Sequence, residues 1–134
     1  MEIRTPEAEP AAAPSLLPSV PRDGECVLCY VERMLGTHGC DSTLRWARRW
    51  RELRAPGARG LERRLEARGG FCDCEVFLNG WSLRAELQVR DADGELAWPS
   101  PRPACAGVAA RSTQPCTNWE LWRRPRWDRR RMPA

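Results

Sequence analysis

Residues 71–90 read FCDCEVFLNGWSLRAELQVR, and the reading of this stretch decides the fold. Asn79-Gly80 is the strongest two-residue hairpin signal, because both residue types accept the positive φ of a type I′ turn. On the return side Leu83, Ala85, Leu87 and Val89 alternate with Arg84, Glu86, Gln88 and Arg90, a period of two. A two-residue loop sets Leu78 opposite Trp81, Val76 opposite Leu83, Cys74 opposite Ala85 and Cys72 opposite Leu87. Alternation then places Cys72, Cys74, Val76 and Leu78 on one apolar face, with Asp73, Glu75 and Phe77 pointing away. Asp91-Ala-Asp-Gly94 reads as a second turn and residues 95–98 as a third short strand.

Upstream the period changes to that of a helix. Leu28, Val31 and Leu35 share one helical face after Cys26-Val-Leu-Cys29, and Gly36 and Gly39 end the run. Asp41 or Ser42 can cap the next helix, whose stripe is Trp46, Ala47, Trp50 and Leu53, with Arg45, Arg48, Arg49 and Glu52 outward. Pro56 and Gly57 break it. Leu61 and Leu65 mark a third helix, closed by Gly69 and Gly70. The predicted class is α+β: two to three short helices packed on a small antiparallel β-meander, stapled by a metal site and flanked by flexible tails.

The domain plan follows composition. Residues 1–25 are Ala, Pro and acid without a period and read as a disordered tail; residues 26–98 form a cysteine-rich α+β domain; residues 99–134 are a Pro, Trp and Arg-rich extension. A core of about 70 residues often needs a disulfide or a metal as staple. The N-terminus lacks a basic start, and Pro10, Pro14 and Pro18 interrupt its apolar residues, so no secretory signal is expected. No run approaches the roughly 20 apolar residues of a membrane span. The expected compartment is the cytoplasm, where thiols stay reduced and seven cysteines point to metal or redox chemistry.

The cysteines supply that staple. Cys26-x-x-Cys29 can chelate one ion, and Cys72-x-Cys74 can supply a second pair from the inward face. Zinc favours four such ligands. Cys40 and His38, the one histidine in the chain, are further candidates. An iron–sulfur cluster is the alternative cofactor, although the spacing matches neither ferredoxin pattern. Free cysteine also packs as a small hydrophobe, which is the plainest alternative to a ligand. Cys105 and Cys116, in the Pro-rich stretch, read as free thiols or a weak second site rather than members of the main cluster.

Gly69-Gly-Phe-Cys-Asp-Cys-Glu-Val76 followed by Asn79 resembles the signature of a small bacterial, actinobacterial family of unknown function. Cys40-Asp41 before Thr43-Leu44-Arg45 matches the same pattern, so the resemblance covers about residues 39–79. It implies no activity. Family members carry His two positions after the first Cys, where this chain has Ser42; the pair Cys26 and Cys29 would compensate.

Charge is segregated. All 22 basic side chains are Arg, nine of them in residues 45–68 against Glu52, Glu62 and Glu66, whereas residues 72–98 are net acidic. The main reading is a zinc-binding interaction module with a protein partner. The first alternative is a nucleic-acid-binding zinc protein, in which Arg45, Arg48, Arg49, Arg123 and Arg124 meet phosphates while Trp119, Trp122 and Trp127 stack on bases. The second is a thiol or iron–sulfur redox sensor. Catalysis finds little support: one histidine, no Gly-rich phosphate loop, and no base for Ser42 besides His38. Asp73 and Glu75 read as an exposed strand pair.

Overall fold

A computed structural model describes residues 19–122. Arg123, Arg124, Trp127 and most of the N-terminal tail lie outside the described residues. Among the described residues, four α-helices run α1 (Val27–His38), α2 (Arg45–Arg54), α3 (Leu61–Glu66) and α4 (Asp73–Glu75), the last running on into a π-helical turn over Val76–Gly80. Strands β1 (Trp81–Leu83), β2 (Val89–Arg90), β3 (Leu96–Ala97) and β4 (Trp119–Leu121) follow. The α+β class, with short helices and short antiparallel strands, is as the patterns require.

The centre of the molecule is the packing of α1 on α2. Val27, Leu28, Tyr30, Val31 and Met34 meet Trp46, Ala47 and Trp50, and α3 adds Leu61 and Leu65. Fully burying side chains of this size is worth roughly 1.5–3 kcal/mol each. The predicted stripe of α2 is right for its first three members, but Leu53 is 46 % exposed because the helix ends one residue later. Gly36 lies inside α1, and Gly39, at φ 76°, closes it.

The hairpin over Asn79-Gly80 does not form. Residues 73–80 are helical, and the Trp81 N–H donates to the Val76 carbonyl. Phe77 is buried and Leu78 is 58 % exposed, the reverse of the alternating register. Two side chains explain the change. Asp73 is fully buried and accepts from the N–H groups of Trp46 (2.8 Å) and Ala47 (3.2 Å). It caps α2 from 27 residues away, where the adjoining Leu44 offers no side-chain cap. Its carboxyl is pushed up by burial, against the pull of those two N–H groups. Asn79 donates to the Gly69 carbonyl (2.8 Å) instead of turning a hairpin. The glycine pair before this segment has two distinct duties. Gly69 takes φ 87°, and a Cβ on Gly70 would stand 2.9 Å from Val76 Cγ2 and 3.1 Å from the Leu65 carbonyl oxygen.

The strands pair as two separate antiparallel ladders. β1 pairs with β4, Trp81 opposite Leu121 and Leu83 opposite Trp119. β2 pairs with β3 across the predicted turn, where the Asp91 carboxylate accepts from the N–H groups of Asp93 and Glu95 and Gly94 sits at φ 83°. The β1–β4 ladder thus joins residues 119–121 to residues 81–83. Residues before 26 pack on α1 as well: Ser19 and Glu25 are buried, Tyr30 donates to the Ser19 carbonyl (2.5 Å), and Glu25 holds Arg33 (2.7 Å). Among the described residues no helix is long and apolar enough to cross a membrane.

Candidate metal centre

All seven cysteines are free thiols. Cys26 is the N-cap of α1, its backbone extended (φ −75°, ψ 165°), and its Sγ accepts from the Cys29 N–H at 3.3 Å. That capping turn aims both sulfurs at the start of the helix, where the helix dipole favours negative charge. Two more sulfurs arrive from far along the chain. The loop at Cys105 docks because the Val108 N–H bonds the Gly24 carbonyl (2.9 Å). Cys105 Sγ then accepts from the N–H groups of Cys26 and Gly107, both at 3.3 Å. Cys116 sits just before β4, held there by the β1–β4 ladder and by the bond from Asn118 Nδ2 to the Ala104 carbonyl (2.9 Å).

Cys26, Cys29, Cys105 and Cys116 place their sulfurs within 4.8 Å of one another. Cys29 Sγ and Cys116 Sγ are 3.7 Å apart. That is far beyond a disulfide bond of about 2.05 Å. It equals the edge of a sulfur tetrahedron around zinc, roughly 3.8 Å for Zn–S near 2.3 Å. Trp119 Nε1 donates to Cys29 Sγ (3.3 Å), so each half-buried sulfur carries an N–H partner that steadies a thiolate. The hydrogen bond from the Cys29 thiol, helped by backbone N–H groups and opposed by burial, pulls the Cys26 thiol down to about 6. The same bond and burial push Cys29 up, and burial pushes Cys116 up. Cys26 and Cys116 are buried, while Cys29 and Cys105 border a cleft of about 430 Å³ that gives an ion a way in.

The four cysteines close together can therefore hold a metal ion, and two of them differ from the set the sequence singled out. Cys105 and Cys116 join Cys26 and Cys29, contrary to their expected separation. Cys72 and Cys74 lie elsewhere, half-buried on either side of Asp73, and among the described residues they form no group of three ligand atoms within 4.8 Å. His38 is exposed and stacks on Trp46 at 5.0 Å between ring centres. The signal for Cys105 was weak but present: Gly107 two residues later supplies, at φ 93°, the N–H that meets the sulfur. Nothing local marks Cys116; the ladder that positions it is a long-range pairing.

The other candidates are mostly engaged. Arg49 donates to the Ser19 carbonyl (3.1 Å), and the neighbouring Arg51 binds Glu62 (2.8 Å). Arg48 stands 3.8 Å from Glu62, and Arg45 lies over the Trp46 ring at 4.2 Å; both are exposed. Trp119 is buried at the metal centre, and Trp122 donates to the Phe77 carbonyl (3.2 Å). Asp73 is a buried cap rather than an exposed strand carboxylate.

Comparison with known proteins adds the family. A family model described as a protein of unknown function (DUF2695) matches residues 27–79. An uncharacterized protein of Mycobacterium tuberculosis is 38 % identical over 72 residues, covering 54 % of this chain and 73 % of the relative. An uncharacterized protein of Mycobacterium bovis matches to the same extent. No solved structure matches. On this likeness the chain belongs to the bacterial family of unknown function DUF2695.

Proposed function

We propose that this protein is a zinc-stapled interaction module, with the ion bound by Cys26, Cys29, Cys105 and Cys116. The observation that carries the reading is the convergence of four thiols within 4.8 Å, with a 3.7 Å edge fit for a tetrahedral thiolate site. Four thiolates fill zinc's coordination, so no position remains for substrate and the ion's contribution is to stability. It would tie the start of α1 to the segment leading into β4, joining parts of the chain about 90 residues apart in sequence. The partner surface is the apolar groove of about 360 Å³ beside Phe77, Leu78, Ala97 and Trp98, whose Trp98 and Leu78 are exposed.

Metal analysis of protein purified without oxygen, combined with melting in a strong chelator, tests the reading. The expected result is bound zinc that is lost with Cys116→Ser, and unfolding when the chelator removes it. Iron and sulfide with visible absorbance would sink the zinc assignment. Unchanged melting in chelator would mean that these thiols are core packing only.

A further inference from the structure

We infer that Cys29 and Cys116 form an oxidation site: a hydroperoxide entering the adjoining cleft converts the two thiols to a disulfide that ties α1 to the segment before β4. The pairing stands on the sulfur geometry. Only the accompanying release of an ion rests on the zinc reading above.

The hydrogen bonds of the cluster single out this pair. The two sulfurs lie 3.7 Å apart. A disulfide bond measures about 2.05 Å, and small turns of the two side chains close the gap. The other two sulfurs of the cluster are held by backbone groups. Cys26 Sγ accepts the Cys29 N–H as the cap of α1, and Cys105 Sγ accepts from the N–H groups of Cys26 and Gly107. Drawing Cys26 into a bond with Cys29 would disturb that cap. Cys29 Sγ is held instead by a side chain, the Trp119 indole N–H at 3.3 Å, which can follow the sulfur as it turns.

Access divides the roles. Cys29 is half-buried and borders the cleft of about 430 Å³, whereas Cys116 is buried and is not on its wall. The oxidant therefore meets Cys29 first. The Cys29 thiolate, steadied by the Trp119 N–H, attacks one peroxide oxygen. An S–O bond forms, the O–O bond breaks, and the departing oxygen takes a proton and leaves as an alcohol, or as water from hydrogen peroxide. The Cys116 thiolate then attacks the Cys29 sulfenic acid. The S–S bond forms, the S–O bond breaks, and the hydroxide leaves with the Cys116 proton as water. Two thiols lose two electrons and the hydroperoxide gains them.

The new bond joins residues 87 apart in the chain. A crosslink closing so long a loop restricts the unfolded chain more than a short one. A zinc ion on the four thiolates loses two ligands in the same step. Because the ion binds the reduced thiols and not the disulfide, ion and oxidant compete for the pair. The tie between α1 and the β4 segment passes from the ion to a covalent bond.

The test is hydrogen peroxide treatment of the full chain, stripped of metal and freed of reductant, followed by thiol counting and non-reducing peptide mapping by mass spectrometry. The expected result is a loss of two thiols per chain and a Cys29–Cys116 crosslink that dithiothreitol reverses. Zinc-loaded protein should form the same link more slowly and release one ion per disulfide to a zinc-sensitive dye. The unmutated chain gives the decisive map, so no variant has to fold. A Cys29–Cys116 link in a chain that binds no zinc would uphold the oxidation site and overturn the zinc reading. Bound zinc together with links confined to Cys26–Cys29, or to Cys40, Cys72 and Cys74, would overturn the oxidation site and leave the zinc reading standing. Oxidation of Cys29 to the sulfinic acid without any crosslink would overturn it as well.

Discussion

Two cysteine loops of this protein, at Cys40 and at Cys105, share a local hydrogen-bonding pattern and differ in what surrounds them. In each, a sulfur accepts the N–H two residues further along, in a loop turned by a positive φ. The four-cysteine group gathers ligands from opposite parts of the chain and buries two of them. Cys40, Cys72 and Cys74 lie on segments joined through Asp73 and are half-buried, but they form no group of three sulfurs within 4.8 Å. Local hydrogen bonding can pre-shape a thiolate in either place. Ligand number and burial decide whether an ion there holds the fold together or merely occupies it. The family match covers residues 27–79, which include Cys29, Cys40, Cys72 and Cys74 but leave out Cys26, Cys105 and Cys116.

The comparison breaks most visibly at Cys116. Cys116→Ser should cost several kcal/mol or abolish cooperative melting, since structural zinc contributes about 10–16 kcal/mol in small metal-dependent domains. Thermal melts with and without added zinc measure it, and a melting temperature that ignores both mutation and metal ends the structural reading.

Asp73→Ala comes next. Losing the cap and stranding two buried N–H groups should cost about 2–4 kcal/mol in denaturant unfolding. Asp73→Asn, which keeps an acceptor, should cost less than half of that.

Gly70→Ala should cost about 1–3 kcal/mol, because its Cβ would press on Val76 and on the Leu65 backbone oxygen. Ser42→Gly should have the smallest effect, a stabilisation of under about 1 kcal/mol, since glycine takes φ 71° without strain. Denaturant unfolding measures it, and a destabilised Ser42→Gly would show that the backbone at residue 42 carries no strain to relieve.

Much of the helical part was legible in the residues. Trp46, Ala47 and Trp50 fall on one face whatever the partner, and Cys26-x-x-Cys29 meets in one turn because the spacing alone brings its sulfurs together. Asp91-Ala-Asp-Gly94 folds as read because its hydrogen bonds are made among its own residues. The failures share one cause. Asn79-Gly80 had the composition of a hairpin, yet Asp73 and Asn79 were claimed by partners elsewhere in the chain, and those bonds demand a helical turn. Cys116 had no local mark at all, because its place is set by Leu83 pairing with Trp119.

Alone, then, the sequence determined that this chain carries short amphipathic helices and a surplus of cysteines able to act as ligands, since each depends on residue type and near spacing. Tertiary structure alone decided which cysteines meet. A metal site needs sulfurs within a few ångströms, and that distance is set by caps and strand pairings between residues far apart in the chain.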